Sequence, residues 1–294
     1  MTLGLASQSH AQLYWGANDS GGAGTWNHTT TVWYNGTSNQ TWTSGDIAIF
    51  DETGGAVTVS GSQTVGGLTF NTTGYSLTGG NLEGTSSGFT VQDNYDATVD
   101  SNILGGSPFT TTFTKSGSGT LTLGGADSFF GQIDVTGGSL VLSEGFDGAT
   151  SPVMAGTVAV TLAGGSLGAT NTGTPIAQNF GTLSLQSNAV INFSNSTNLA
   201  ISFADSSSQT WTGTLTIENF NSASDTLQFG TSSGGLTAAQ LSDIVFAGSG
   251  DSAVINSNGL ISAVPEPNSI ALFLIGICIL VGAWFKKTFS CRPN

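Results

Sequence analysis

The sequence predicts an all-β protein, and three observations carry that prediction. From Ala56 to Ile261, short runs such as AVTVSG at 56, GGLTF at 66, GTLTLGG at 119 and GQIDVTGGSLVL at 131 alternate Val, Leu, Ile or Phe with Thr or Ser. Such period-two alternation buries one row of side chains and leaves a hydroxyl row outside. Gly-Gly pairs, Asn and Asp punctuate the runs, supplying the positive φ that tight turns demand. The composition agrees: charged residues make up 7% of the chain against about 25% in ordinary domains, while Gly contributes 43 of 294 residues, about twice its usual share. A hydrophobic content of 38% with six Trp excludes disorder, which needs low hydrophobicity together with high charge. Two architectures fit, a β-solenoid whose coils bury their apolar rows against one another and a β-sandwich.

Residues 1–11 read as the remnant of a signal peptide. Ser9 and Ala11 are the small residues that a signal peptidase reads, which places the mature start at Gln12. Met1 to Leu5 is too short for the apolar core of a signal peptide and carries no Lys or Arg, so the expected coding start lies upstream.

Residues 12–55 hold Trp15, Trp26, Trp33 and Trp42. The first coil of a solenoid has no neighbour on one side, and large aromatic area is one way to seal it, so this segment reads as a cap. The alternative is an exposed aromatic platform for sugar rings built on Trp33 and Trp42. Residues 56–179 form the body. Within it, TKSGSGTLTLGGADSFFGQIDVTGGSLVL from Thr114 to Leu142 resembles the autotransporter-associated β-strand repeat, with Asp127-Ser128-Phe129-Phe130 replacing the usual Asn-Thr-Tyr at the turn. That family forms right-handed parallel β-helices, and the resemblance decides for the solenoid. The segment from Tyr14 through GDIAIFDETGGAVTV resembles the N-terminal region that precedes such repeats.

Residues 180–263, with WTGTLTIENF at 211 and GLTAAQLSDIVF at 235, resemble the membrane-proximal segment of exported proteins of this kind and are expected to close the far end. Thr237 is placed to cap a short helix through Leu241.

Residues 264–294 read as an address. Pro265-Glu266-Pro267 precedes an uncharged run from Ile270 to Phe285, then Lys286, Lys287 and Arg292. Sixteen helical residues span roughly 24 Å against a bilayer core of roughly 30 Å, so 270–285 can just cross as a single transmembrane helix. Three of the four basic residues follow it, which puts the C-terminus in the cytoplasm and the bulk of the chain outside. The order resembles the PEP-CTERM sorting tail, with Lys-Lys in place of an arginine-rich cluster. The resemblance implies cleavage near the tripeptide by an exosortase-type enzyme, and so a transient inner-membrane anchor.

Charge excludes several partners. Lys115 is the single Lys or Arg between Gln12 and Val264, against seventeen of the chain's eighteen acidic residues. Nucleic acid and anionic lipid surfaces would therefore meet repulsion, leaving neutral glycans such as exopolysaccharide, divalent cations or other surface proteins as partners. The two cysteines, Cys278 and Cys291, lie in the tail, so the exported part has no disulfide. With two His and no Cys outside the tail, zinc is excluded, and no cofactor is expected.

Catalysis finds little support. His10 leaves with the signal peptide and His28 sits in a Thr-rich loop. Asp93, Asp96 and Asp100 are the carboxylates from which a glycoside hydrolase could be built, and the same cluster with Asn94 offers hard oxygen ligands for Ca²⁺ without the spacing of a known calcium loop. Solvated turn acids are the plainer reading. Asn-x-Ser/Thr triplets at Asn27, Asn35, Asn39 and Asn71 are expected by chance in so Thr-rich a chain. The expectation is a non-catalytic, exported surface or matrix β-solenoid of adhesin type, with a glycan-binding module as the alternative and a glycosidase behind it.

Overall fold

The computed structural model describes residues 10–105, 112–125, 131–143, 158–170, 176–194, 198–248 and 252–264. They form a β-solenoid of about six turns with mostly parallel strands. Parallel pairing of strands that follow one another at coil spacing is incompatible with the sandwich alternative, whose sheets are antiparallel.

One long face stacks Gln12–Trp15, Ile47–Phe50, Gly67–Phe70, Phe89–Asp93, Thr112–Ser116, Gln132–Val135, Ala159–Leu162 and Leu183–Leu185. A second face runs from Gly24–Trp26 and Ala56–Val59 through Tyr75–Thr78, Ala97–Val99, Thr120–Leu123 and Ser139–Ser143 to Ile244–Phe246. A third face is interrupted, with Ser62–Val65, Asn81–Gly84 and Asn102–Leu104 in one short sheet and Ile176–Phe180, Leu199–Phe203 and Thr226–Phe229 in another.

The core consists of ladders. Because the strands are parallel and in register, like residues stack coil upon coil: Leu121, Leu140 and Leu167 pair in sequence on the second face. On the third face Phe180, Phe203 and Phe229 stack with centroids 5.3 and 5.1 Å apart, close to the strand spacing of about 4.8 Å. Burying each such side chain contributes about 1.5–3 kcal/mol, and no disulfide is needed at that density. Asparagines form ladders at the edges, with Asn102 Nδ2 donating to Asn81 Oδ1 at 3.0 Å and Asn94 Nδ2 to Asn71 Oδ1 at 2.8 Å.

The two ends are closed differently. At the N-terminal end, Trp33–Tyr34 and Asn39–Gln40 add antiparallel to the first face, and Trp15, Trp26, Trp33 and Trp42 pack together beneath them. At the C-terminal end, Ser252–Ile255 and Ile261–Val264 form an antiparallel hairpin against Ile244–Phe246. The helix Ala238–Ser242 precedes it. Thr237 caps that helix in a full capping box with Gln240, whose amide also donates to Ser206 O and Gln209 O.

The sheets run without a break through the sequence divisions at 55/56 and 179/180. Ile47–Phe50 and Ala56–Val59 belong to the same coil, and 179/180 falls inside Ile176–Phe180. Among the described residues no helix is long and apolar enough to cross a membrane. The expected span 270–285, the tripeptide Pro265-Glu266-Pro267, the basic residues Lys286, Lys287 and Arg292, the turn at 127–130 and most of the expected leader lie outside the described residues.

Candidate functional site

Three places gather the chemistry-bearing residues: the Trp cluster, a buried charge pair in the repeat, and a hydroxyl-lined groove.

Trp33 is 0% exposed and Trp42 3% exposed, which overturns the aromatic platform. Trp33 packs at 5.0 Å from Trp15, 4.9 Å from Trp26 and 4.7 Å from Trp42, mostly edge to face. No ring face remains for a sugar. The reason is geometric: alternation puts Trp33 and Trp15 opposite each other in an antiparallel pair, on the inward side.

The repeat places charge inside. Lys115 pairs with Val91 on one side and Val135 on the other, so it occupies an apolar rung of the first face and is 0% exposed. Its ammonium donates to Ser116 O at 2.9 Å, Gly119 O at 3.0 Å, Gly137 O at 3.3 Å and Gly117 O at 3.4 Å. Three N–H donors are thus shared among four carbonyls of two turns. This explains the T-K-x-G-x-G spacing physically. A Cβ on Gly117 (φ +79°) would stand 2.3 Å from Asp93 O, and one on Gly138 (φ +58°) 2.9 Å from Lys115 Nζ. Only glycine lets the turns close over the lysine.

Asp93 completes the pair. It is also 0% exposed, aligned with Phe70, and its Oδ2 lies 3.9 Å from Lys115 Nζ, the one ion pair among the described residues. Neither of its oxygens accepts a hydrogen bond. Burial pushes the Asp93 carboxyl up to about 7, with Lys115 opposing and Asp96 reinforcing the shift. Burial lowers Lys115, and Asp93 opposes that. Sequence alternation could have found both, since Lys115 shares parity with Phe113, and Asp93 with Phe89 and Val91.

The three candidate carboxylates therefore do not converge. Asp93 is sealed inside, whereas Asp96 and Asp100 are exposed at opposite ends of Ala97–Val99, about 13 Å apart along an extended strand. Paired carboxylates of glycoside hydrolases need roughly 5–9.5 Å, so neither the hydrolase nor the calcium arrangement is formed by this set. Among the described residues no group of three His, Cys, Asp or Glu side chains could hold a metal ion. A second acidic contact joins Asp51 to Asp19, where burial and that hydrogen bond push Asp51 up to about 7. The buried oxygens Asp19 Oδ1 and Asp51 Oδ1 lack donors unless one carboxyl keeps its proton, which is the shared state the raised value favours. His28 is exposed, and Asn27 and Asn35 are turn formers: Asn27 Oδ1 accepts from Thr29 N and Thr30 N, and Asn35 Oδ1 from Thr37 N and Ser38 N.

Outside, the second face carries a groove of about 410 Å³ lined by Thr73, Ser76, Asp96, Thr98, Thr120 and Thr122. Register builds it: Thr98 pairs with Ser76 and with Thr122, setting three outward hydroxyls on one rung line. Asp96 Oδ1 accepts from Thr120 N at 2.8 Å, and its other oxygen meets no donor among the described residues. Tyr95, next to Asp96, is 53% exposed.

Residues 113–142 match the passenger-associated-transport-repeat family, PATR. A stretch of 141 residues, 43% of this chain, is 37% identical to the adhesin BmaC autotransporter of Brucella suis biovar 1 (strain 1330). The chain spans 4% of that protein's length. No solved structure matches.

Proposed function

We propose that this protein is an exported, non-catalytic surface or matrix module of adhesin type: a β-solenoid delivered by a PEP-CTERM tail and working through its outer faces. The observation that carries the reading is the repeat at 113–142, built as consecutive coils within unbroken parallel sheets. The likeness to an autotransporter adhesin supports a place at the cell surface. The parallel crossovers are assigned the right-handed sense, as such connections nearly always take. Burial of Asp93 and separation of Asp96 from Asp100 support the non-catalytic part.

In this reading Pro265-Glu266-Pro267 is the processing motif for an exosortase-type partner, 270–285 is the temporary anchor, and Lys286, Lys287 and Arg292 hold the tail in the cytoplasm. Neutral exopolysaccharide or other surface proteins are the partners outside. Fractionating the native host, digesting intact cells with protease and sequencing the mature C-terminus tests this. The expected result is an externally accessible chain that ends near Pro267. A chain protected inside the cell, or an external one still carrying Phe285, overturns export or processing respectively.

A further inference from the structure

We infer that the groove beside Tyr95 is a binding site for a neutral saccharide. It deepens the surface-module reading and rests on that reading only for where such a ligand is met.

Shape, lining and charge point the same way. A volume of about 410 Å³ lies within the range of small-molecule sites, roughly 300–1,000 Å³. The hydroxyls of Ser76, Thr98 and Thr122 repeat at the strand spacing of about 4.8 Å, and each can donate or accept, which suits a ligand that is itself a row of hydroxyls. Asp96 offers a carboxylate oxygen with no donor among the described residues, and a charged acceptor forms stronger bonds to sugar hydroxyls than a neutral one. Its position is fixed from behind by Thr120 N, so little order is lost on binding.

Tyr95 supplies the apolar contact. Among the described residues it is the exposed aromatic side chain, whereas the tryptophans of the N-terminal end are spent inside. It occupies the turn between Phe89–Asp93 and Ala97–Val99, directly before Asp96, which lines the groove, although Tyr95 is not itself a lining residue. An aromatic ring combines a flat apolar face with a polar tip, matching the apolar faces and hydroxyl edges of a pyranose. Charge then selects among sugars. Lys115, the single Lys or Arg from Gln12 to Val264, is wholly buried, so nothing here can neutralise a uronate or a sulfate, and Asp96 would repel either.

The test uses the purified full chain in detergent. The probes are neutral tetrasaccharides of glucose, mannose and galactose, with a galacturonate tetrasaccharide as the anionic arm, followed by saturation-transfer NMR and calorimetry. At least one neutral probe is expected to bind with a dissociation constant under about 10 mM, weakening about tenfold in Tyr95→Ala and in Asp96→Asn. Thr58→Ala, on the same face outside the groove, leaves binding unchanged. Silence from every neutral probe overturns the inference, as does binding equal in wild type, Tyr95→Ala and Asp96→Asn, or a preference for the galacturonate probe. The measurement is made on purified protein, so its failure is separate from any failure of export.

Discussion

The aromatic end and the Lys115 turn are both shut off from water, yet they solve opposite problems. At the first coil no further coil covers the apolar rungs among the described residues, and the chain covers them with area: Trp15, Trp26, Trp33 and Trp42 stand within 4.7–5.0 Å of a partner ring. At Lys115 the coil has neighbours on both sides, but two tight turns aim their carbonyls inward, and the chain covers those with an ammonium. A solenoid end needs hydrophobic mass, whereas a solenoid turn needs donors. The difference shows that, within a largely hydrophobic core, a charged residue is buried where the neighbouring backbone lacks donors.

The largest expected break of that comparison is at Trp33. Removing its side chain opens a cavity among four rings, and Trp33→Ala is expected to cost about 4 kcal/mol in urea unfolding. Trp33→Phe should cost under about 1.5 kcal/mol, because Trp33 Nε1 has no hydrogen-bond acceptor to lose. A Trp33→Ala variant as stable as wild type would mean that the ring cluster does not seal the end.

Next comes Lys115. Lys115→Met keeps the stem in its Val91–Lys115–Val135 rung and withdraws the ammonium from four inward carbonyls, of which Gly119 O keeps Ser139 N, and it leaves Asp93 without its neighbouring cation. A loss of about 3 kcal/mol is expected. Adding Asp93→Leu should return part of it, since removing both charges costs less than removing one. If Lys115→Met alone is neutral, the ammonium is not what closes the turns.

How much of this was legible depends on range. Local signals held: alternation marked the strands from Ala56 onward, and Thr237 with Gln240 three residues on marked the capped helix. The inward lysine was written in the same alternation, in the parity that Lys115 shares with Phe113. Long-range facts were not legible. That Ser76, Thr98 and Thr122 share one rung depends on the register of three coils, and only the coil at 113–142 carries a recognisable repeat to set it. The closing hairpin at Ser252–Val264 is likewise defined by what it covers, and its sequence resembles any other strand pair.

The smallest expected effect sharpens the contrast through pH, because the aromatic cluster does not titrate and the Lys115 turn does. Asp93 is raised from 3.8 to about 7 in the folded chain, so between those values the folded state holds a proton that the unfolded state has lost. Stability contributed by neutral Asp93 is therefore complete at acidic pH and is lost as pH rises toward 7. Asp51, raised to the same range by burial and its hydrogen bond to Asp19, acts in the same direction. Over the last unit below neutrality the loss for Asp93 is on the order of 1 kcal/mol, or about 2–4 °C in the unfolding midpoint for a domain of this size. Asp93→Asn, which keeps the shape of the neutral acid, should remove that share of the slope and leave the share of Asp51. Melting curves at pH 5, 6 and 7 for wild type, Asp93→Asn and Asp51→Asn separate the two. A wild-type slope between pH 5 and 7 equal to that of Asp93→Asn would show that Asp93 is ionised beside Lys115 throughout, making the turn a true ion pair in place of an ammonium facing a neutral acid.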